Sequence, residues 1–354
     1  MTNFLLTGGG TGGHVNPLLA LAQQLKDEGH SVWALGTKEG LESRLVPERG
    51  FELLTIQRLP FPRSVNLRSL AFPFKFLRAS FQIMGMIRRH RIDCVVGFGG
   101  YVSAPAYFAA ALMRRPLVIH EANALAGIAN KIGAKLTRFV AIAFPNSDLS
   151  GAITGMPIRR EIVDSVAGYD KGQARVELGL DPLLPTLLVT GGSLGAKSLN
   201  DAVIQALPKL KAAGIQVLHI VGDSAGLQEV SEPGYLRLSY CNRMDVAISA
   251  SDFAISRAGA STVAEFSAVG LPALYVPYPA GNGEQRLNAV TVCEAGGGSI
   301  VLDSEFSASV IETEVIPKIS HAGTLKRMSE AAKSQGIPDS TLRLRDLVMD
   351  SVNT

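Results

Sequence analysis

The chain is short of several things, and each shortage removes a class of protein. Only three cysteines occur in 354 residues, Cys94, Cys241 and Cys293, with no CxxC pair and no histidine at metal-ligand spacing. That pattern excludes a disulfide framework and a structural zinc, and it fits a reducing compartment. No basic segment precedes the first apolar run, so a cleaved signal peptide is not expected. Heptads and low-complexity tracts are missing, which leaves no sign of a coiled coil, and disorder is expected nowhere but at the extreme C-terminus. Charge is sparse at 18% of residues, and a net +3 does not by itself point to nucleic acid. Charge is absent altogether from Cys94 to Met113, close to the length of a membrane span. Gly97, Gly99, Gly100 and Pro105 interrupt that segment, and irregular backbone facing lipid would leave amides unpaired. It reads as a buried strand, a glycine loop and a buried helix.

Two glycine-rich turns stand out against this background. FLLTGGGTGGHVNPLLALAQQL (Phe4 to Leu25) and TLLVTGGSLGAKSLNDAVIQAL (Thr186 to Leu207) each follow an apolar strand and open a helix, about half a chain apart. Such a turn lets backbone N–H groups and a helix N-terminus face a phosphate with no Cβ in the way. The repeat, together with a length above the usual limit of one core, implies an α/β protein of two Rossmann-like domains with parallel sheets facing a deep cleft. Strands are expected at 3–7, 31–36, 52–56, 94–96, 116–120 and 139–143, and again at 186–190, 216–221, 236–238, 253–256, 273–276 and 299–301. The stretch from Gly151 to Arg160 separates the halves, with the boundary placed after Pro157. Ile337 and Pro338 break the second pattern before a last helix, Ser340 to Val352.

Several residues carry chemistry in this frame. Gly8, Gly10 and Gly13 satisfy GxGxxG, the signature of a dinucleotide site, but the second strand ends in Leu35, Gly36 and Thr37, with no ribose-binding acid there and Glu39 beyond it. His14 follows the loop at a helix N-terminus, where the positive end of the dipole favours a neutral imidazole; it is either a general base or a side chain bonded to its own loop. His120, Glu121 and Asn123 gather where a strand ends, and Gly97 to Pro105 forms a second glycine loop at the same edge. In the second half, Ser256 to Phe266 offers amides to a phosphate and Glu265 to a ribose diol, and Gln285 suits a sugar hydroxyl.

The motifs GGGTGGHVNP, GFGGYVSAP, IHEANALAG, TGMPIRR, TGGSLGAKSLN, SRAGASTVAEFSAVGLPALYVPY and EQRLNA, in this order, resemble the MurG family of peptidoglycan N-acetylglucosaminyltransferases, glycosyltransferase family 28. The resemblance covers nearly the whole chain and implies a GT-B fold. Residues 1–157 would form the acceptor and membrane-associating domain, 158–338 the UDP-GlcNAc domain, and 339–354 a helix crossing back to the first. It implies inverting transfer of GlcNAc from UDP-GlcNAc to the C4 hydroxyl of undecaprenyl-diphospho-MurNAc-pentapeptide, on the cytoplasmic face of the cell membrane. Carried over by motif, Arg159 and Ser193 would contact UDP, Glu265 the ribose, Cys241 the uracil through its backbone, and Asn123, Ala260 and Gln285 the GlcNAc. Thr11, Gly12, Gly13 and His14 would line the reaction centre, with Gly100, Tyr101 and Glu121 nearby. Glu284 and Leu194 depart from the family's usual residues.

Inverting transfer by one displacement needs an in-line hydroxyl, a base and stabilisation of the leaving diphosphate. His14 is the first candidate base and Glu121 the second. No Asp-x-Asp pair occurs, so no metal cofactor is expected, and Ser193, loop amides and a helix dipole would meet the leaving charge. No acid lies between Glu52 and Asp93, where Phe61, Leu70, Phe74, Phe76, Leu77 and Phe81 interleave with Arg63, Arg68, Lys75, Arg78 and Arg88. Such a segment suits a peripheral site on an anionic membrane, with part of its apolar side expected in the core. A UDP-GlcNAc 2-epimerase and a non-catalytic nucleotide-sugar sensor are the alternatives. The expected partners are UDP-GlcNAc, the undecaprenyl-linked acceptor and the membrane surface, with room for cell-wall and division proteins; nucleic acid is not among them.

Overall fold

The computed structural model describes residues 1–59, 71–168, 170–192 and 195–354. They form two compact units, residues 1–159 with 339–354, and residues 160–338. Ile158 and Arg159 therefore go with the first unit, where the last helix holds the segment just before Arg159: Ser340 Oγ donates to Met156 O at 2.7 Å and Thr341 Oγ1 to Ile158 O at 3.4 Å.

The first unit carries a seven-stranded parallel sheet in the order β3-β2-β1-β4-β5-β6-β7. Its strands are β1 (Asn3–Thr7), β2 (Ser31–Gly36), β3 (Glu52–Thr55), β4 (Cys94–Gly97), β5 (Leu117–Glu121), β6 (Phe139–Ile142) and β7 (Ala152–Ile153). The strand runs are apolar at nearly every position because both faces are covered. Successive side chains point to opposite faces. Leu5, Val95, Ile119 and Ile142 join one core with α3 (Phe72–Arg89) and α4 (Ser103–Leu112), while Phe4, Leu6, Val96 and Val118 join the other with α1 (Gly12–Asp27) and the C-terminal helix. Leu344 and Val348 of that helix (Ser340–Val352) are fully buried, each contributing about 1.5–3 kcal/mol. Cys94 lies beneath it, its thiol 3.6 Å from Ser351 Oγ and pushed up by burial to about 12, so it is held as an inert thiol.

The uncharged segment from Cys94 folds as a strand, a glycine loop and a buried helix, and among the described residues no helix is long and apolar enough to cross a membrane. The basic segment divides as its periodicity allows. Ile83 and Ile87 of α3 are buried and Phe76, Met84 and Met86 pack on the core, whereas Phe74, Leu77 and Phe81 are exposed by 77, 43 and 64%. Phe61, Arg63, Arg68 and Leu70 lie outside the described residues.

The second unit repeats the plan. Its order is β10-β11-β9-β8-β12-β13-β14, with β8 (Thr186–Thr190), β9 (Gln216–Ile220), β11 (Tyr235–Leu238), β12 (Phe253–Ser256), β13 (Ala273–Tyr275) and β14 (Gly298–Ile300) parallel. β10 (Val230–Glu232) is an antiparallel edge. The short edge strands β7 and β10 were not expected from the sequence, since two or three residues are too few to show a period. β5 runs one residue past its expected end, to Glu121, so His120 and Glu121 both lie within the strand and both are buried.

Candidate functional site

In each sheet the chain leaves the central strand in opposite directions, and ligands bind at such a switch point beyond the carboxyl ends of the strands. In the first unit this is the gap between the loops after β1 and β4. The loops interleave so closely that a Cβ on Gly100 (φ +88°) would lie 2.5 Å from Gly9 O, and one on Gly99 3.3 Å from His14 Nε2. Glycine is required at Gly100 by space, and the left-handed backbone favours it at both. Thr11 precedes α1 as an extended residue whose side chain does not cap it, and Gly12 and Gly13 form the helix's first residues. His14 is half-buried, with Nδ1 3.1 Å from Gly9 O and 3.3 Å from Thr11 Oγ1. A carbonyl oxygen only accepts, so the shorter contact is a hydrogen bond when Nδ1 carries the proton, which leaves Nε2 as the basic nitrogen.

Glu121 lies deeper, 2% exposed. Its Oε1 accepts from Asn123 N at 2.9 Å and its Oε2 from Asn130 Nδ2 at 2.8 Å and Gly127 N at 3.1 Å, so it ties the loop that carries half-buried Asn123 to the sheet. Burial raises its pKa, while these bonds and the nearby His14 oppose the shift. His120 is fully buried; Nε2 donates to Gly155 O at 3.0 Å and Nδ1 has no protein partner. Burial brings its pKa down to about 4, so it stays neutral and acts as structure. Tyr101 stacks under the Arg58 guanidinium, 5.3 Å from its ring centre, at the rim of a small cavity of about 70 Å³.

One residue here has no precedent in the motif reading. Glu42, the first residue of α2 (Glu42–Glu48), folds back under the glycine loop with 1% exposure. Its Oε2 accepts from Gly10 N at 2.9 Å, and its Oε1 from Thr37 N and Thr37 Oγ1, both at 2.8 Å. An acid therefore does reach the end of β2, but it faces inward and is occupied by loop donors. The signal lay in glycine: a Cβ on Gly9, Gly36 or Gly40 would come within 2.6 Å of this one side chain.

In the second unit the loops after β8 and β12 flank the switch point. Ser193 and Leu194 lie outside the described residues. Gly195 (φ +75°) seats the loop after β8, since a Cβ there would lie 2.3 Å from Val221 O. Arg257 follows β12 and fastens its surroundings: Nη1 donates to Asp303 Oδ1 at 2.5 Å and to Val276 O at 3.1 Å, and Nη2 to Ser198 Oγ at 3.2 Å. The helix Ala260–Val269 starts at buried Ala260 behind Gly259, with no side-chain cap, and Ser261 Oγ is buried there without a protein partner. Glu265, 7% exposed, sits one turn in. Gln285 Oε1 accepts from Tyr278 N at 3.0 Å, half-buried Cys241 lies in the loop after β11, and Glu284 accepts from Asn282 N at 3.3 Å, holding its own turn. The fold thus gathers Thr11, Gly12, Gly13, His14, Gly100, Tyr101, Glu121 and Asn123 at one sheet edge, and Cys241, Ala260, Glu265 and Gln285 at the other; Arg159 is the last residue before the second unit.

Comparison with known proteins agrees with this geometry. Residues 4–142 match the glycosyltransferase family 28 N-terminal domain and residues 186–344 the family's C-terminal domain. The chain is 51% identical to the UDP-N-acetylglucosamine--N-acetylmuramyl-(pentapeptide) pyrophosphoryl-undecaprenol N-acetylglucosamine transferase of Clavibacter sepedonicus, over 99% of this chain and 97% of the relative. It is 46% identical to the protein of the same name from Streptomyces coelicolor, over 98% of both. Among solved structures it is similar to MurG of Acinetobacter baumannii, with a TM-score of 0.79 and 29% identity over 99% of this chain and 100% of that one. Its two Rossmann-like units have the architecture of the GT-B glycosyltransferases, and the chain belongs to glycosyltransferase family 28.

Proposed function

We propose that this chain transfers GlcNAc from UDP-GlcNAc to the C4 hydroxyl of the MurNAc unit of undecaprenyl-diphospho-MurNAc-pentapeptide, with inversion, in peptidoglycan precursor synthesis. The observation that carries the reading is the histidine at the first glycine loop, with Nδ1 engaged by a carbonyl and Nε2 left as the base, in a chain so similar along its whole length to transferases of that name. His14 takes the proton of the attacking hydroxyl, while Glu121 holds the loop of Asn123. In the second unit Glu265 accepts from the ribose hydroxyls, and the uncapped helix N-terminus at Ala260 faces the sugar diphosphate, where its dipole favours the charge that develops on the leaving group. Ser193, Arg159, Cys241, Asn123 and Gln285 complete the donor site in this reading, and the step needs no metal.

The acceptor is lipid-linked, and the exposed Phe74, Leu77 and Phe81 alternate with Lys75, Arg78 and Arg88 on an 18-residue helix without acids. This surface docks peripherally on an anionic leaflet at the cytoplasmic side. Radiolabelled UDP-GlcNAc with a short-chain acceptor analogue tests the reading: a disaccharide product is expected, and an epimerised donor or no product overturns it.

A further inference from the structure

Gly9 C=O and Gly10 N–H belong to a single peptide unit, and both ends of it are held. Its N–H donates to Glu42 Oε2 at 2.9 Å, and its C=O lies 3.1 Å from His14 Nδ1. We infer that Glu42 is a positioning residue for proton transfer, linked to His14 through this one peptide: its carboxylate grips the N–H, the C=O holds His14 Nδ1–H, and Nε2 is left to meet the acceptor hydroxyl. The inference rests on the reading of His14 as base.

Three observations support the link. The carboxylate is an anion: burial alone would raise its pKa, but the bonds from Gly10 and Thr37 hold it below the usual carboxylate range. Space is cleared for it, since Gly9, Gly36 and Gly40 each lack the Cβ that would strike it. The peptide cannot turn away, because Gly100 packs against Gly9 O from the other side. An anion on the N–H polarises the amide and makes its carbonyl a stronger acceptor, and hydrogen bonds in such chains reinforce one another at low dielectric. The same logic lets a carboxylate fix the tautomer of a catalytic histidine directly; here a backbone amide lies between the two.

The wild-type protein, labelled with ¹⁵N-histidine, gives the first test. Long-range ¹H–¹⁵N spectra should show neutral His14 as the Nδ1–H tautomer; the Nε2–H tautomer would overturn the proposal. Glu42→Gln keeps the shape and removes the charge. Its kcat with a soluble acceptor should fall about 10- to 100-fold with little change in donor KM, as for other residues that orient a functional ligand from behind. The His14 titration should shift to lower pH in the same variant. If the folded variant keeps both kcat and the His14 titration of wild type, the carboxylate is only structural and the link is wrong. A His14→Ala protein with wild-type kcat would instead remove His14 as base, leaving the tautomer and the titration to judge Glu42 separately. The tautomer decides the matter even where Glu42→Gln does not fold.

Discussion

The two units set their parallel strands in the same order around the same kind of switch point, yet one crevice is built around a carboxylate and the other around a guanidinium. In the first, Glu42 accepts three hydrogen bonds from the loops after β1 and β2. In the second, Arg257 donates to Asp303, to Ser198 and to the backbone after β13. A buried anion favours positive charge close by, as on an imidazole that has taken a proton, whereas in the second unit Arg257 is already paired with Asp303 and the uncapped helix N-terminus at Ala260 is what favours an anion. The repeated topology thus places a buried carboxylate at one switch point and an Arg257–Asp303 ion pair at the other.

The comparison can be broken most sharply at the proton-handling end. His14→Ala should lower kcat by two to four powers of ten, roughly the range of a positioned general base, with only a modest change in donor KM. Steady-state kinetics with a soluble acceptor would show this, and a loss confined to KM would make His14 a binding residue.

Acid should act on both halves alike. His120 in the first unit and His219 in the second are both buried, and burial lowers the pKa of each to about 4; His219 also bonds Asn200 Oδ1 and Tyr235 Oη, each at 3.0 Å. Below its usual value of about 6.5, each histidine takes a proton in the unfolded chain but not in the folded one, so the unfolded state gains as pH falls. Stability should be full above pH 6.5 and decline towards pH 4, by at most about 3 kcal/mol per histidine. Unfolding midpoints at pH 7, 6 and 5 measure this, and a flat profile would mean that both rings protonate in the native state.

The surface proposed to dock on a membrane belongs to one unit only. Replacing Lys75, Arg78 and Arg88 by Gln should weaken binding to anionic vesicles about a hundredfold at low salt, from about 1 kcal/mol per cation, and leave activity on a soluble acceptor unchanged. Co-sedimentation at wild-type levels would rule out docking through α3, and a collapse of soluble activity would make the helix a structural element of the site. The donor end is tested through Glu265. Glu265→Ala should raise the KM for UDP-GlcNAc by about tenfold or more for each bond lost, at about 1.5–3 kcal/mol per charge-assisted bond, with kcat less affected. An unchanged KM would place the ribose elsewhere.

The sequence by itself determined the two sheets and the glycine loops, because these rest on local physics. Apolar runs covered on both faces read as parallel strands, and turns that demand positive φ or close approach read as glycine. That part of the basic segment's apolar side would join the core was legible too, but which residues do so was settled only by the helix over 72–89, with Ile83 and Ile87 inside and Phe74 and Phe81 outside. Only the tertiary structure decided which polar side chains serve the loops. Glu42 and Gly10 are 32 residues apart, and Arg257 and Asp303 are 46, so no local pattern could pair them. It also decided that His120 and Glu121, set at a strand end by sequence, are buried supports: His120 bonds Gly155 O, and one more residue of pairing on β5 than expected carries Glu121 into the sheet. Local periodicity sets where an element forms and which face is apolar, but what a buried charge meets depends on which distant segment packs beside it.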